Sequence, residues 1–377
     1  MKISKLQVVI FLLISELVTA QNPRLSQIWS SPLQINPSLS GRFDGKARIG
    51  ATYSWQHTEF ASIPHQNIFV DLKFGKYRNM GDERQYTKDS TGKTHFQEAK
   101  DETESQRKTK GYWGVGFNYY HYGDNTSPLQ GTFVSGTVAR HFYFKKNRYF
   151  GVGAQVAYAK GNLDETRGAD YDKEISGGGF RYPNEHYRNG PYKSKTDYVD
   201  FNIGGYYAMV TEPVSFEIGL AMYHLFYPKD DIFNFDTETK LRHRLTAHSI
   251  LRLKLNSKWG FIQRNIYWEE GLYYKSRTFN DSAHSVTFYA GVELYKTQPK
   301  SDINFNFGLY SRSFRTVMPY INLSLGRIVN LRYTYEFPIN SKKYNAYTAK
   351  RSEVALILTY KKNTATGTRF YKKFHYW

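Results

Sequence analysis

"VSFEIGLAMYHLF", residues 214–226, decides how the chain is read. Val214, Phe216, Ile218, Leu220 and Met222 fall on one side of a period of two. Ser215, Glu217, Gly219 and Ala221 fall on the other. A helix would space its apolar residues three and four apart, so this is a strand with one apolar face. The pattern recurs in "DINFNFGLY" (302–310), with Ile303, Phe305, Phe307 and Leu309 against Asn304, Asn306 and Gly308. It recurs again in "SVTFYAGVELY" (285–295) and "GYWGVGFNYY" (111–120), where Trp113, Val115, Phe117 and Tyr119 oppose Gly114, Gly116 and Asn118.

Alternation alone would also suit a soluble aromatic-rich β-sandwich. Two features favour a membrane barrel. Many runs reach about 10 residues, the length a tilted strand needs to cross a bilayer. Many also finish in aromatics, among them Trp55, Phe74, Tyr119, Phe142, Tyr223, Tyr310, Phe337 and Tyr360, as interfacial girdles do. Composition agrees. Aromatic residues make up 17% of the chain, yet the mean hydropathy is −0.63. Strands with one lipid face and one polar lumen face average to that combination.

The predicted fold is therefore an all-β, transmembrane antiparallel β-barrel of about 14 strands. The strands are expected at 45–56, 65–75, 111–122, 131–144, 148–160, 197–210, 213–226, 241–256, 264–276, 284–296, 302–312, 316–326, 328–337 and 351–361. An even count puts both termini in the periplasm. Most long connections then fall outside the cell, notably 161–196, 227–240 and 338–350. The exception is 76–110, a long inside connection dense in both charge signs. It reads as a solvated, disordered insertion, with a periplasmic contact arm as the alternative.

The first 20 residues, MKISKLQVVIFLLISELVTA, read as a secretory signal peptide. Lys2 and Lys5 precede an apolar run from Leu6 to Leu17, and Val18-Thr19-Ala20 supplies small residues for cleavage after Ala20. Gln21 follows rather than Cys, so no lipid anchor is expected. The domain plan is signal peptide 1–20, extended N-terminal segment 21–44, barrel 45–361, and a basic aromatic tail 362–377 that can also be read as an extra strand.

Function classes narrow by what is missing. There is no cysteine, hence no disulfide framework, thiolate metal site or cysteine nucleophile. No Gly-rich phosphate loop, HExxH or G-x-S-x-G occurs. "SGGGF" at 176–180 reads as a turn. His243 and His248 face opposite sides of a strand start, and His57 and His65 bracket a loop, so neither pair reads as a metal site. No catalytic, metal or cofactor-binding residue is assigned, and no cofactor is expected. The net charge of +19 is spread through many segments without a Lys/Arg block, which argues against nucleic acid as partner. Inward-facing Glu217, Glu293, Glu336 and Asp200, beside Arg48, Arg332 and Lys254, read as lumen solvation. Bridging strands or holding a plug is the alternative.

The mature start opens Gln21-Asn22-Pro23-Arg24-Leu25-Ser26-Gln27, then carries Pro32, Asn36-Pro37 and Gly41. This resembles the N-terminal motif of the PorP/SprF family, outer-membrane proteins of the type IX secretion system in Bacteroidetes. Residues 47–75, 111–144 and 330–360 are similar to that family's first, second and closing hairpins. The 76–110 insertion and the 362–377 tail, which ends on Trp377, depart from it.

The resemblance implies a cell outer-membrane barrel working in protein secretion and gliding motility, not an enzyme. Its implied partners are a secreted or surface protein with a C-terminal sorting domain, periplasmic secretion-ring lipoproteins and outer-membrane lipid. A porin or specific channel is the alternative. Pro23, Pro32 and Pro37 fix extended backbone, and Asn36-Pro37 favours a turn. Such a segment can rise from the periplasm as a plug, cap the lower mouth, or dock a periplasmic partner.

Overall fold

On β9 (Val214–Tyr223) Leu220 is 64% exposed, and Glu217, three residues earlier on the opposite face, is 1% exposed. The apolar face points out and the polar face points in, the reverse of a water-soluble protein. The computed structural model repeats this inversion around the sheet, with Ile49, Ile68, Val115, Phe117, Phe307 and Leu331 exposed and Asn67, Asp71, Asn118, Asn202 and Glu353 buried. Such an outer band matches lipid and would be an aggregation hazard in water.

The structure describes residues 25–57, 62–75, 84–88, 94–98, 111–125, 127, 129–145, 147–164, 193–211, 214–229, 240–241, 243–254, 261–272, 284–296, 303–312, 316–325, 328–339 and 350–360. The other strands are β1 Ala47–His57, β2 Ser62–Phe74, β3 Arg84–Lys88, β4 Thr94–Glu98, β5 Gly111–Tyr122, β6 Leu129–Lys145, β7 Arg148–Asp164, β8 Lys193–Val210, β10 Arg244–Lys254 and β11 Phe261–Leu272. They continue with β12 His284–Lys296, β13 Ile303–Arg312, β14 Thr316–Leu325, β15 Val329–Pro338 and β16 Lys350–Tyr360. Among the described residues, fourteen of these strands form one closed antiparallel barrel, and β3 pairs with β4 in a separate hairpin. That hairpin corrects the expectation of a wholly disordered 76–110. Its five-residue strands are too short for periodicity to reveal.

The seam is β1 against β16, paired from Ala47↔Tyr360 to His57↔Lys350. Lys350–Tyr360 is thus the strand that meets β1, and the tail 362–377 lies outside the described residues. We call the end where β1 begins and β16 finishes proximal, and the other end distal. Phe74, Trp113, Phe142, Phe150 and Tyr360 ring the proximal end, all exposed. Phe142 and Phe150 stack at 6.0 Å, and the Arg140 guanidinium lies 5.0 Å from the Trp113 ring. Trp55, Tyr227 and Phe337 are exposed near the distal end, completing a second aromatic girdle. Strands β6, β7 and β8 run 17, 17 and 18 residues. Each exceeds the roughly 9–11 that span a bilayer, and their extra length raises the distal rim on one side.

Residues 25–46 pass through the lumen. Here the expectation of an extended segment is corrected. The chain winds through a 3-10 turn at Ile28–Ser30, a single helical turn α1 at Pro32–Ile35 and a second 3-10 turn at Pro37–Leu39. Pro32 and Pro37 occupy the first position of their turns, where a proline's fixed φ suits a helix and its missing N–H costs nothing. The same residue type that stiffens extended chain therefore starts two helical turns here.

Candidate functional site

Lumen-facing side chains converge on this segment from strands on every described side of the barrel. Its described start lies distally. Leu25 packs with Tyr120 and Tyr122 at the distal end of β5. The Ser26 and Gln27 N–H groups donate to the Glu353 carboxylate, each at 2.7 Å, and the Ser26 hydroxyl donates to Glu336 at 2.5 Å. Glu336 also pairs with Arg312 at 2.8 Å. The far end of the segment lies proximally, where the Lys46 N–H donates to the Tyr360 carbonyl and the Lys73 ammonium donates to the Phe43 carbonyl. The segment thus runs down the barrel from the distal half to the start of β1. It fills the lumen instead of capping the lower mouth.

Much of its hold is on main-chain atoms. One-turn α1 leaves carbonyls without intrahelical partners, and the wall supplies donors. Gln155 on β7 donates to the Leu33 carbonyl at 3.2 Å, Tyr223 on β9 to that of Gln34 at 2.9 Å, and Thr246 on β10 to that of Ile35 at 3.1 Å. His141 on β6 lies 2.6 Å from the Ser40 carbonyl oxygen. Asp71 on β2 accepts from the Gly41 N–H at 2.6 Å and the Ser40 hydroxyl at 3.1 Å.

Asn36 spends its whole side chain. Its Oδ1 accepts from the Ser38 N–H at 2.9 Å and hydroxyl at 2.7 Å, capping the second 3-10 turn. Its Nδ2 donates to the Gly205 and Leu220 carbonyls at 3.1 and 3.0 Å, which uses all four of an amide's hydrogen bonds. The notch that admits it is made by glycine. A methyl group at Gly204 would overlap Asn36 Oδ1, and one at Gly219 would lie 3.0 Å from Nδ2. Pro37 presses against Gly153 in the same way, with a contact of 2.6 Å to a built methyl. Gly41 has φ +76°, and a methyl there would lie 2.7 Å from the Gly114 Cα. Only glycine meets both demands.

One buried ion pair, and a carboxylate of a second pair within the wall, tie the segment's proximal half. Arg42 reaches Glu217 on β9 at 2.9 Å, with its guanidinium 5.1 Å from the Tyr206 ring and 5.5 Å from that of Tyr149. Arg48 on β1 reaches Asp71 at 2.6 Å, so one carboxylate serves the wall pair and the Gly41 turn together. Apolar contacts fill the rest. Ile28, Trp29, Ile35 and Leu39 form one buried cluster with Tyr149, Tyr206, Ile250, Met318 and Tyr320.

Of the motif residues singled out in the sequence, Ser26, Gln27, Pro32, Asn36, Pro37 and Gly41 are all brought into this seat. Gln21 and Pro23 lie outside the described residues. The reading of the inward charges as lumen solvation is corrected for Glu217, Glu336 and Arg332, since each bonds the segment directly. Arg332 donates to the Ser30 hydroxyl at 3.2 Å. Asp200 pairs instead with His224 on the wall at 3.0 Å. The side chains of Glu293 and Lys254 lie outside the described residues. Sequence reading missed Asp71, Glu353, Gln155 and Arg42. The first three do occupy inward positions of alternating strands, which was the available signal. His248, 3.6 Å from Glu217, faces the lumen, while His243 lies near the Leu225 carbonyl at 3.3 Å. Among the described residues no group of three or more His, Cys, Asp or Glu could hold a metal.

A family model described as "Type IX secretion system membrane protein PorP/SprF" matches residues 17–358. No curated protein sequence matches the chain. Solved structures that resemble it have low sequence identity to it. A Pseudomonas aeruginosa FadL homologue has a TM-score of 0.47 at 9% identity, covering 86% of this chain and 92% of that one. The Pseudomonas putida toluene transporter TodX has 0.45 at 10%, covering 87% and 92%. The translocator domain of the autotransporter NalP from Neisseria meningitidis has 0.39 at 11%, covering 84% and 88%.

Proposed function

The chain belongs to the PorP/SprF family of type IX secretion system membrane proteins, and from that premise we propose that it is a plugged barrel which assists export or surface anchoring of partner proteins. It is an outer-membrane protein and not an enzyme, as its family is a secretion component. The observation that carries the finer reading is the filled lumen. Leu25, Ser30, Leu33, Asn36, Ser38 and Phe43 are all buried within the barrel. A resident segment held by a buried ion pair and by wall hydrogen bonds to its backbone suits a component that binds partners at its ends better than a general diffusion pore.

In this reading residues 1–20 are the secretory signal and are removed. The cargo is a secreted or surface protein with a C-terminal sorting domain, met at the distal rim. Strands β6 to β8 extend that rim, and the long connections 164–193, 223–244 and 338–350 leave from it. Loops on a rigid scaffold are the usual carriers of binding. Periplasmic secretion-ring lipoproteins would meet the proximal end, where the β3–β4 hairpin lies between β2 and β5 in the chain.

The test is a pull-down of the tagged protein from its native outer membrane in mild detergent, with partners identified by mass spectrometry. Ring lipoproteins, or one surface protein with a C-terminal sorting domain, are the expected recovery. The barrel alone, in preparations where other membrane complexes survive, would overturn the reading in favour of a porin or specific channel.

A further inference from the structure

We propose that the lumen wall is a peptide-binding site that reads main-chain geometry, and that residues 25–44 occupy it as a ligand independent of their covalent tether. The inference rests on the plugged reading above but not on any partner. Three consecutive carbonyls, those of Leu33, Gln34 and Ile35, are each met by a different strand through Gln155, Tyr223 and Thr246. At the two ends of the segment, carboxylates meet N–H groups instead, Glu353 distally and Asp71 proximally. Wall donors thus face the carbonyls in the middle of the run, and wall acceptors face the amides of Ser26, Gln27 and Gly41 at its two ends. A lumen lined merely for solvation has no reason to sort its donors and acceptors in this way.

The wall has also surrendered side chains where the peptide passes closest. Methyl groups at Gly114, Gly153 and Gly204 would strike Ser40, Pro37 and Asn36. The seat therefore fits one backbone path, set by the Pro32 and Pro37 turns and the Asn36 cap. Side chains add to this, with Ser26 on Glu336, Gln34 on Asn67, Asn36 on the Gly205 and Leu220 carbonyls and Arg42 on Glu217. The ligand class is a compact peptide with an Asn-Pro turn and an arginine six residues after the asparagine.

The proposal separates a bound ligand from a tethered filler. A protease recognition sequence is inserted after Asp44 in the full chain, and the folded protein is cut in detergent. Gel filtration then asks whether the released fragment stays with the barrel. The expected result is co-elution for the wild-type fragment and at least tenfold faster loss from an Asn36→Ala chain. Loss of the wild-type fragment on cutting would overturn the proposal.

If the insertion prevents folding, a labelled synthetic peptide of residues 22–44 is added to full-length Arg42→Ala protein. Saturable binding supports the site, provided an Asn36→Ala peptide binds at least tenfold more weakly. No saturable binding to the Arg42→Ala protein, whose own segment has lost its ion pair to Glu217, overturns it. Neither experiment needs a secretion partner, so failure here leaves the pull-down reading standing, and failure there leaves this one.

Discussion

At Gly114 a built methyl group falls onto the Ser40 carbonyl and 2.7 Å from the Gly41 nitrogen, whereas at Gly136 it meets nothing within 4 Å. Both glycines sit in alternating strands of similar composition, but the first faces the plug and the second faces lipid. The obstruction at Gly114 is backbone, which no rotamer change relieves. Gly114→Ala is therefore expected to destabilise the folded barrel by about 1–3 kcal/mol, the range for overpacking. Gly136→Ala should be neutral within about 0.5 kcal/mol. Urea unfolding of refolded protein in lipid vesicles, followed by tryptophan fluorescence, measures both; equal effects would refute the assignment of faces. Asp71 offers a second test at this scale. Its carboxylate serves Arg48 at 2.6 Å and the Gly41 N–H at 2.6 Å. Removing one member of a buried pair strands the other charge, so Asp71→Asn should cost about 3–5 kcal/mol. The Arg48→Met/Asp71→Asn double variant should cost less than the sum of the two single changes, because the stranded guanidinium is gone. Strict additivity in the same unfolding assay would show that the pair does not act as a unit.

At the scale of elements, the strands were legible and the plug was not. Period-two runs give the face of every residue, so β5, β9, β13 and β15 lie within a few residues of where the sequence put them. Pattern assigns a face but not a neighbour, which is why Glu217 and Glu336 could be read as lining water. The turns at Ile28–Ser30, Pro32–Ile35 and Pro37–Leu39 are three or four residues long. No periodicity can show in so short a run, and their prolines are equally at home in extended chain. The motif Ser26-Gln27, Pro32, Asn36-Pro37 and Gly41 nevertheless pointed to the right stretch, since each of those residues makes a contact that its type makes best. The plug also touches the seam. Glu353 on β16 receives two of its N–H groups, and Lys46, one residue before β1, bonds Tyr360 at the end of β16. The absence of cysteine makes seating measurable. A Ser30→Cys thiol, at a position with 0% exposure, should resist maleimide in the otherwise native chain. Adding Glu217→Ala, which takes the carboxylate away from Arg42, should raise its labelling rate by tenfold or more. Unchanged labelling would mean that the ion pair does not hold the plug in place.

On the scale of the whole molecule, a closed barrel of fourteen strands is wide enough to conduct unless something fills it, because diameter grows with strand number. Two devices could keep it closed: side chains reaching inward from the wall, or the threaded segment. Inward positions carry small residues where the segment passes, Gly114, Gly116, Gly153, Gly204 and Gly219 among them. On that side the wall cannot close the lumen alone. Deleting residues 22–41 after the signal peptide should therefore open a water-filled path along β5, β7, β8 and β9. The wild-type protein in planar bilayers is expected to show no steady single-channel conductance. The deletion should conduct and should admit small sugars in liposome swelling, with the barrel's resistance to unfolding by detergent without heating checked in parallel. A folded deletion variant that stays closed would assign closure to the wall or to the connections at the rims, and the plug would then be a docking element. A wild-type protein that conducts as freely as the deletion would make the lumen a channel and the secretion reading of this barrel untenable.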